Sequence, residues 1–443
     1  MMDATSGGTG QGDAANDPAE RCRRARAALR AAGDLSTQAT AADVERVVVI
    51  LASSRGMSSF LFNLLRSTGS FTSLIGEHIH LYKMFGLLRP DADDAVVDAP
   101  GGDRAGFAAA LLDDLTIPDP EPVAERTRIQ RLARQLAGQW HERLPPIEVV
   151  VGAIERAMAA LRDQRDPELH FLHVVRQLRR AEMPIDPWYY DLPADKVAAV
   201  FPELARPAGP PALSDVIEEP PFVLPAVGRA ATRADLRARP LLLKSSSDAY
   251  RVAELAKLFP AARITYVHLT RNPAASINGL VDGWLHRGFF SRRLPADRAL
   301  AIPGYSEQPW GTRWWKFDLP PGWEAMRARP LPEVAAFQWS AAHAAILAAL
   351  PALDPASIVT VRAEALIEDG SRRAELARIL THAGASADHA LRAQPKMVMS
   401  TVAPKPGRWR DRQDVLATAT SSPRVLQIAS ALGYGDRPGS AWI

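Results

Sequence analysis

The sequence holds a single cysteine, Cys22, among 443 residues, which excludes an intrachain disulfide and points to a reducing compartment. Charge of one sign is scarce in the same sense. Fifty-three Lys and Arg stand against 50 Asp and Glu, a net +3, too small an excess to predict a nucleic-acid partner. Long hydrophobic runs are missing, with none near the length of a membrane span and no apolar signal core at the N-terminus. A soluble cytoplasmic protein with no membrane partner is therefore expected. Metal-ligand spacing is missing too. His170 and His173 lack a third ligand nearby, and His141-Glu142 is followed by Pro145 where a zinc-protease helix needs its second histidine, so no metal site is expected.

What is present is a chain 47% hydrophobic, able to bury a substantial core as one large domain or two ordinary ones. Residues 1–42, rich in Gly, Ala, Asp, Thr and Ser with a short Arg/Ala run from Arg21 to Arg30, read as a mobile tail without chemistry. The organising stretch follows at Arg46 to Leu65. Val47 to Ala52 is a continuous apolar run, the pattern of a central strand covered on both faces. Ser53, Ser54, Arg55, Gly56, Met57, Ser58 and Ser59 then form a small-residue turn, and Phe60, Leu61, Leu64 and Leu65 continue at helical spacing. A strand, tight turn and helix aim backbone N–H groups and a helix N-terminus at one point, which favours an anion. Ser58 or Ser59 adds a hydroxyl and Arg55 a forked cation. The nucleoside-triphosphatase pattern G-x-x-x-x-G-K-[ST] is absent, and an ordinary structural turn stays open.

Glu77 follows that helix, and His78 to Leu88 reads as helical with His80 on the same face as Glu77. Glu77 is either a base beside the anion turn or an ordinary helix N-terminal acid, with His78 and His80 as substitute bases. Amphipathic helices are expected from Asp91 to Arg180. Recurrent prolines from Pro184 to Pro240 predict an ordered cap of loops or an extended linker, and Trp188, Tyr189, Tyr190 and Phe222 among them favour the cap. An α/β rhythm resumes with Leu241-Leu242-Leu243 ending in Lys244, a helix from Asp248 to Leu258, and a strand Ile264 to Leu269 ending at Arg271-Asn272-Pro273. Lys244 and Arg271 thus sit at strand ends, where open α/β sheets gather ligands.

Arg55-Gly56-Met57-Ser58-Ser59 after its strand, Glu77, Lys244 before a helix closing in Leu-Phe-Pro, and the strand ending in Arg271-Asn272-Pro273 together resemble the PAPS-dependent sulfotransferase family, with a layout similar to its tyrosylprotein branch. The resemblance covers roughly residues 46–90 and 240–410. It implies a three-layer, nucleotide-kinase-like (P-loop-like) α/β fold with a central parallel sheet and large helical and loop cap insertions. A single domain over residues 43–443 is expected, with insertions at about 91–240 and 286–332. The implied activity is transfer of a sulfuryl group from 3′-phosphoadenosine 5′-phosphosulfate, without a metal, to a hydroxyl of a small-molecule or carrier-bound acceptor.

By position, the resemblance implies that Arg55, Gly56, Met57, Ser58, Ser59 and Phe60 hold the 5′-phosphosulfate and Arg271 the 3′-phosphate. Glu77 falls at the catalytic glutamate of the tyrosylprotein branch and Lys244 at its lysine on the transferring group, and Arg55 joins Lys244 as a catalytic cation on the charged oxygens. Glu333 to Trp339, Ile358 to Val361 and Arg362-Ala363-Glu364 resemble the later helix, strand and acidic segment, and Lys405-Pro406-Gly407-Arg408-Trp409 the basic loop over the nucleotide. Three departures stand out. Met57 occupies the usual glycine position, Gly279 replaces a common serine so that Ser276 or Asn278 is expected to supply its contact, and Ala363 replaces an aromatic. Trp284, Phe289, Phe290, Trp310, Trp314, Trp315 and Trp323 supply either a lid for an aromatic, lipidic or polyketide-like acceptor or the closure of a core or a dimer interface. A magnesium-dependent kinase on the same fold and a non-catalytic nucleotide- or partner-binding protein remain the alternatives.

Overall fold

The computed structural model describes Arg23, Arg24, Ala27 and residues 39–89, 92–97, 101–117, 125–140, 144–161, 166–206, 223–225, 229–396, 398–402 and 405–435. Cys22, His141, Glu142, Phe222 and most of the expected tail lie outside the described residues.

In chain order, β1 (Arg46–Leu51) leads through the turn into α1 (Ser58–Ser67), followed by β2 (Thr72–Ser73), α2 (Ile79–Met84), α3 (Arg104–Asp114) and β3 (Thr116–Ile117). Helices α4 (Glu125–Gln139), α5 (Ile147–Ala160), α6 (Pro167–Arg180) and α7 (Ala194–Val200) come next. Then follow β4 (Arg229–Ala230), α8 (Arg233–Ala238), β5 (Leu241–Lys244), α9 (Val252–Leu258), β6 (Arg263–Thr270) and α10 (Pro273–Leu285). The chain closes with β7 (Phe290–Arg293), β8 (Trp314–Lys316), α11 (Leu331–Ala349), β9 (Ile358–Arg362), α12 (Asp369–His382), α13 (Gln413–Thr420) and α14 (Pro423–Ala431).

The main sheet has the order β4-β3-β2-β5-β1-β6-β9. β2, β5, β1, β6 and β9 are parallel, while β3 pairs antiparallel with both of its neighbours. β1 lies in the middle, and its unbroken apolar run follows from having both faces covered. Val47, Val49 and Leu51 pack with Leu241, Leu243, Ile264 and Tyr266 on one face. Val48, Ile50 and Ala52 pack with Leu242, Val267, Leu269 and α1 on the other. Each such side chain contributes about 1.5–3 kcal/mol of apolar burial. The result is a three-layer α/β fold around a mostly parallel sheet, in which β1, β5 and β6 deliver their carboxyl ends to one edge.

The Trp-rich segment resolves to an interior. Trp284, Trp315 and Trp323 are buried in a chain of edge-to-face contacts with centroids 5.0 and 5.5 Å apart, and Phe290 meets Trp310 and Trp314 in the same way. These rings share one core with α4–α7, α10, α11, α13 and α14. They close a core and do not present a flat apolar lid. Tyr189 and Tyr190 belong to that core as well, which accounts for the aromatics among the prolines. α11 spans both layers, giving Val334, Ala335 and Trp339 to the cap core and Ala342 and Ile346 to the sheet. Contrary to expectation, Leu331–Ala352 is long and apolar enough by length and composition to cross a membrane. Its burial between two cores explains that composition.

One pair of core groups makes stability depend on pH. His268 of β6 and His343 of α11 are both buried, with Nε2 and Nδ1 3.3 Å apart. Burial holds His268 down to about 4 and His343 well below its usual range. The neutral form therefore belongs to the folded state, and as pH falls below about 6.5 the unfolded chain takes up protons first. Stability is expected to drop progressively between about pH 6.5 and 4, by roughly 3 kcal/mol for His268 alone. Urea unfolding across that window checks it; a His268→Leu variant with an unchanged pH profile would contradict it.

Candidate functional site

The turn keeps a left-handed residue where the sequence lacks a glycine. Met57 has φ 69° and Arg55 φ 62°, a conformation that costs a non-glycine residue about 1–2 kcal/mol. Gly56 itself needs no positive φ. A Cβ there would lie 2.8 Å from the Ser53 carbonyl oxygen, which accepts the Gly56 N–H at 3.1 Å, so Gly56 is required by close approach. Ser58 and Ser59 open α1 and are half-buried, while the Phe60 ring is buried in the core beneath. Phe60 can therefore contribute its backbone N–H, one of the first-turn donors that have no intrahelical partner.

Glu77 and Lys244 meet on one side of this turn. The Lys244 ammonium donates to Ser59 Oγ at 2.9 Å and forms a very short ion pair with Glu77 Oε1. Glu77 Oε2 accepts the Ser246 N–H at 3.2 Å. Three further contacts hold these segments in register. Arg66 of α1 donates to Ser73 Oγ at 2.9 Å and to the Ile75 carbonyl at 3.2 Å, and His78 Nε2 lies 3.0 Å from Asp248 Oδ1. Glu77 precedes α2, a shorter helix than expected because Gly86 turns the chain with φ 67°. His78 is buried against Asp248, Tyr82 and Phe107, which removes it as a substitute base. Lys244 is buried, while the Glu77 side chain keeps 26% exposure, enough to be reached from solvent.

Arginines gather on the other side. Arg271, just after β6, donates from Nη1 to the Arg55 carbonyl at 2.9 Å. Arg55 donates to the Met399 carbonyl at 2.9 Å and Thr401 Oγ1 at 3.1 Å, with its guanidinium 5.3 Å from the Phe289 ring centroid. Burial, Arg271 and Arg408 lower Arg55 to about 10 against the opposing pull of Asp282. Burial likewise lowers Arg271. Arg408 pairs with Asp282 through a very short contact, and Arg412 reaches Asp282 Oδ1 at 2.6 Å and Asn278 Oδ1 at 3.4 Å. Lys405 is exposed, and Trp409 packs half-buried against the cap core.

α10 supplies the floor of this basic cluster. Asn272 caps it by accepting the Ala275 N–H at 3.0 Å, with Pro273 in its first turn. Gly279 faces the same two arginines, and a Cβ there would stand 3.4 Å from Arg55 Cβ and 3.8 Å from Arg271 Nη1, ordinary contact distances that a side chain could occupy. Ser276 Oγ is fully buried and has no hydrogen-bond partner among the described residues. Asn278 is buried beside it.

Several members of the site were not legible. Arg412 lies just beyond the recognised basic loop and carries no motif. Glu364 accepts the Asn272 N–H at 2.8 Å and the Tyr434 hydroxyl at 2.9 Å, so a distant tyrosine stands beside the glutamate that Ala363 precedes. Asp318, which follows β8, accepts from Ser54 Oγ of the turn at 2.5 Å and from Tyr250 Oη at 2.6 Å. Burial raises it to about 6. These contacts span from 68 to 264 residues of sequence, and no local pattern announces them.

No family model matches the sequence, and no curated protein does. Among solved structures, the sulfotransferase domain from the Synechococcus PCC 7002 olefin synthase is 14% identical with a TM-score of 0.35, over 89% of this chain and 96% of that one. The sulfotransferase domain from the curacin biosynthetic pathway is 11% identical with a TM-score of 0.34, over 89% and 99%. Sulfotransferase STF9 from Mycobacterium avium is 14% identical with a TM-score of 0.34, over 92% and 83%.

Proposed function

We propose that the protein is a sulfotransferase that moves a sulfuryl group from 3′-phosphoadenosine 5′-phosphosulfate to a hydroxyl of a small-molecule or carrier-bound acceptor. The observation that carries this reading is the contact of Lys244 with both Ser59 and Glu77. It brings a cation from a neighbouring strand end to a phosphate-type turn that lacks its own lysine, and sets a carboxylate beside it.

The residues fit such a donor. Ser53 Oγ, Asn272 Nδ2 and Ser276 Oγ are buried without partners among the described residues, as donors awaiting an anionic ligand would be. Arg55, Arg271, Arg408 and Arg412 cluster around Asp282 and Glu364. In this reading the turn residues Arg55 to Phe60 hold the 5′ end, and Arg271 with Ser276 and Asn278 holds the 3′-phosphate. Gly279 lies beside Arg55 and Arg271 at this end of the site, and Lys405, Arg408 and Trp409 cover the nucleotide.

The bound donor supplies an electrophilic sulfuryl group that leaves a phosphate, through a loose in-line state like that of phosphoryl transfer. Catalysis then rests on positioning and on cations aimed at charged oxygens. Lys244 provides such a cation, oriented by Ser59 and Glu77. Glu77 accepts the proton released from the attacking hydroxyl, because its carboxylate is partly exposed and fixed by the Ser246 N–H. Residues 43–443 act as one catalytic domain with the segments 91–240 and 286–332 inserted, in the cytoplasm, where a chain with one cysteine is at home.

Calorimetric titration with 3′-phosphoadenosine 5′-phosphate tests the reading, with ATP and magnesium as the control. Micromolar binding that needs the 3′-phosphate is expected. Preference for ATP would overturn the reading in favour of a kinase.

A further inference from the structure

We infer that Asp318 is a positioning residue for the anion turn, acting through Ser54, and that an anion binding to the turn takes up one proton on the Asp318 carboxylate. This rests on the proposed function for the identity of the anion, though not for the coupling itself.

Asp318 is buried, at 1% exposure, and its carboxylate contacts two hydroxyls, Ser54 Oγ at 2.5 Å and Tyr250 Oη at 2.6 Å. The rest of the residue is locked in place. Its carbonyl accepts from Trp315 Nε1 at 2.8 Å and from Gln338 Nε2 at 2.7 Å, tying the β8 segment to α11. Asp94 makes an instructive contrast. It is equally buried, yet it pairs with Arg292 at 2.5 Å and accepts from Ser247 Oγ at 2.8 Å and the Leu319 N–H at 3.1 Å. The charge of Asp94 is thus compensated by a guanidinium. Asp318 is held by dipoles, with Asp94 and Tyr250 as the titratable groups turned toward it from the 92–97 segment and the turn after β5. Burial and the charge of Asp94 favour its neutral form and bring it to about 6, against the two hydroxyl donors.

The hydrogen inventory connects this group to the site. An ionised carboxylate only accepts, so it takes the hydrogens of both Ser54 and Tyr250. A protonated carboxyl brings its own hydrogen, and one of the two hydroxyls is released to donate elsewhere. Ser54 lies within the turn, so the hydrogen released there can serve a bound anion. Protonation also removes a negative charge from a buried carboxyl hydrogen-bonded directly to the turn through Ser54. Both effects favour the protonated state in the complex, and the proton comes from solvent. By linkage, affinity then falls as pH rises above about 6, because a shrinking fraction of the protein is in the competent state.

The test is calorimetric titration with 3′-phosphoadenosine 5′-phosphate between pH 5.5 and 8, in paired buffers of different ionisation heat, on wild type, Asp318→Asn and Ser54→Ala. The asparagine can accept and donate at once and so imitates the protonated acid. Asp318→Asn is expected to bind about as tightly as wild type at pH 5.5 and roughly tenfold more tightly at pH 7, and to take up less of a proton. Protonation of the ligand itself is common to all three proteins and cancels in the difference. Ser54→Ala is expected to lose the excess proton uptake while keeping the carboxyl, and it decides the matter should the asparagine variant not fold. Binding with the same proton uptake in wild type and in the variants would overturn the inference and leave the proposed function standing. Absence of binding would overturn the proposed function, and the same comparison with pyrophosphate, which needs only the turn, then decides the coupling; binding of neither overturns both.

Discussion

Glu77→Gln is expected to lower turnover by roughly a thousandfold, the usual worth of a positioned general base, with the affinity for 3′-phosphoadenosine 5′-phosphate close to that of wild type. The amide keeps the shape of the carboxylate and can still accept the Ser246 N–H that now reaches Glu77 at 3.2 Å, but it is a far poorer proton acceptor. It also leaves the buried Lys244 ammonium with Ser59 alone of its two contacts, so an effect of the substitution through Lys244 has to be separated from an effect on the proton. Lys244→Met and the double variant do this. If the two residues work as one unit, the double variant is about as slow as the slower single variant, because groups that act together are not additive. If instead their losses multiply, Glu77 and Lys244 contribute independently and the ion pair is incidental. A Glu77→Gln variant with wild-type turnover would remove Glu77 from the chemistry altogether. In every case turnover is read as sulfated product against a panel of hydroxyl acceptors, and affinity by calorimetry.

The parts of this site that were legible in the sequence are those carried by short, strongly patterned segments. β1 declares itself because burial on both faces demands an unbroken apolar run, and β6 does so for the same reason, whereas β9, with alternating burial, was legible only through the resemblance. Lys244, Arg271 and the turn are recognisable because each stands at the end of such a strand. β2, β3 and β4, at two residues each, are too short to impose a period. Their pairing is imposed by neighbours, as where Thr72 and Ser73 are aligned on Leu241 and Leu242. The departures at Met57 and Gly279 show a second kind of limit. A motif reads residue types, whereas the fold conserves a backbone shape. Met57 takes a left-handed step, φ 69°, although it is not a glycine, and a Cβ at Gly279 would meet Arg55 and Arg271 at ordinary contact distance, so nothing in its surroundings requires the glycine. The tryptophans mark a third limit, since large aromatic side chains serve a lid and a core equally well. Only the contacts of Trp284, Trp315 and Trp323 with one another decide for the core.

Arg271→Ala is expected to weaken 3′-phosphoadenosine 5′-phosphate by about 100-fold and adenosine 5′-phosphosulfate, which has no 3′-phosphate, by about tenfold or less. The larger figure is the loss of charge-assisted hydrogen bonds from a guanidinium to a phosphate, roughly 1.5–3 kcal/mol. The smaller one follows from the second thing Arg271 does, which is to donate to the Arg55 carbonyl at 2.9 Å and so support the strained part of the turn. That support serves any ligand of the turn, and its loss should be felt by both nucleotides alike. Arg271→Lys separates the two roles further. Lysine keeps a cation for the 3′-phosphate but cannot reproduce the fork that lets one guanidinium serve a carbonyl and a phosphate together, so most of the discrimination between the nucleotides should survive while affinity for both declines. Equal losses for the two nucleotides in Arg271→Ala would mean that Arg271 acts through the turn alone. The 3′-phosphate would then have to be assigned to Arg408 and Arg412, whose shared partner Asp282 holds them beside Asn278 on the same helix.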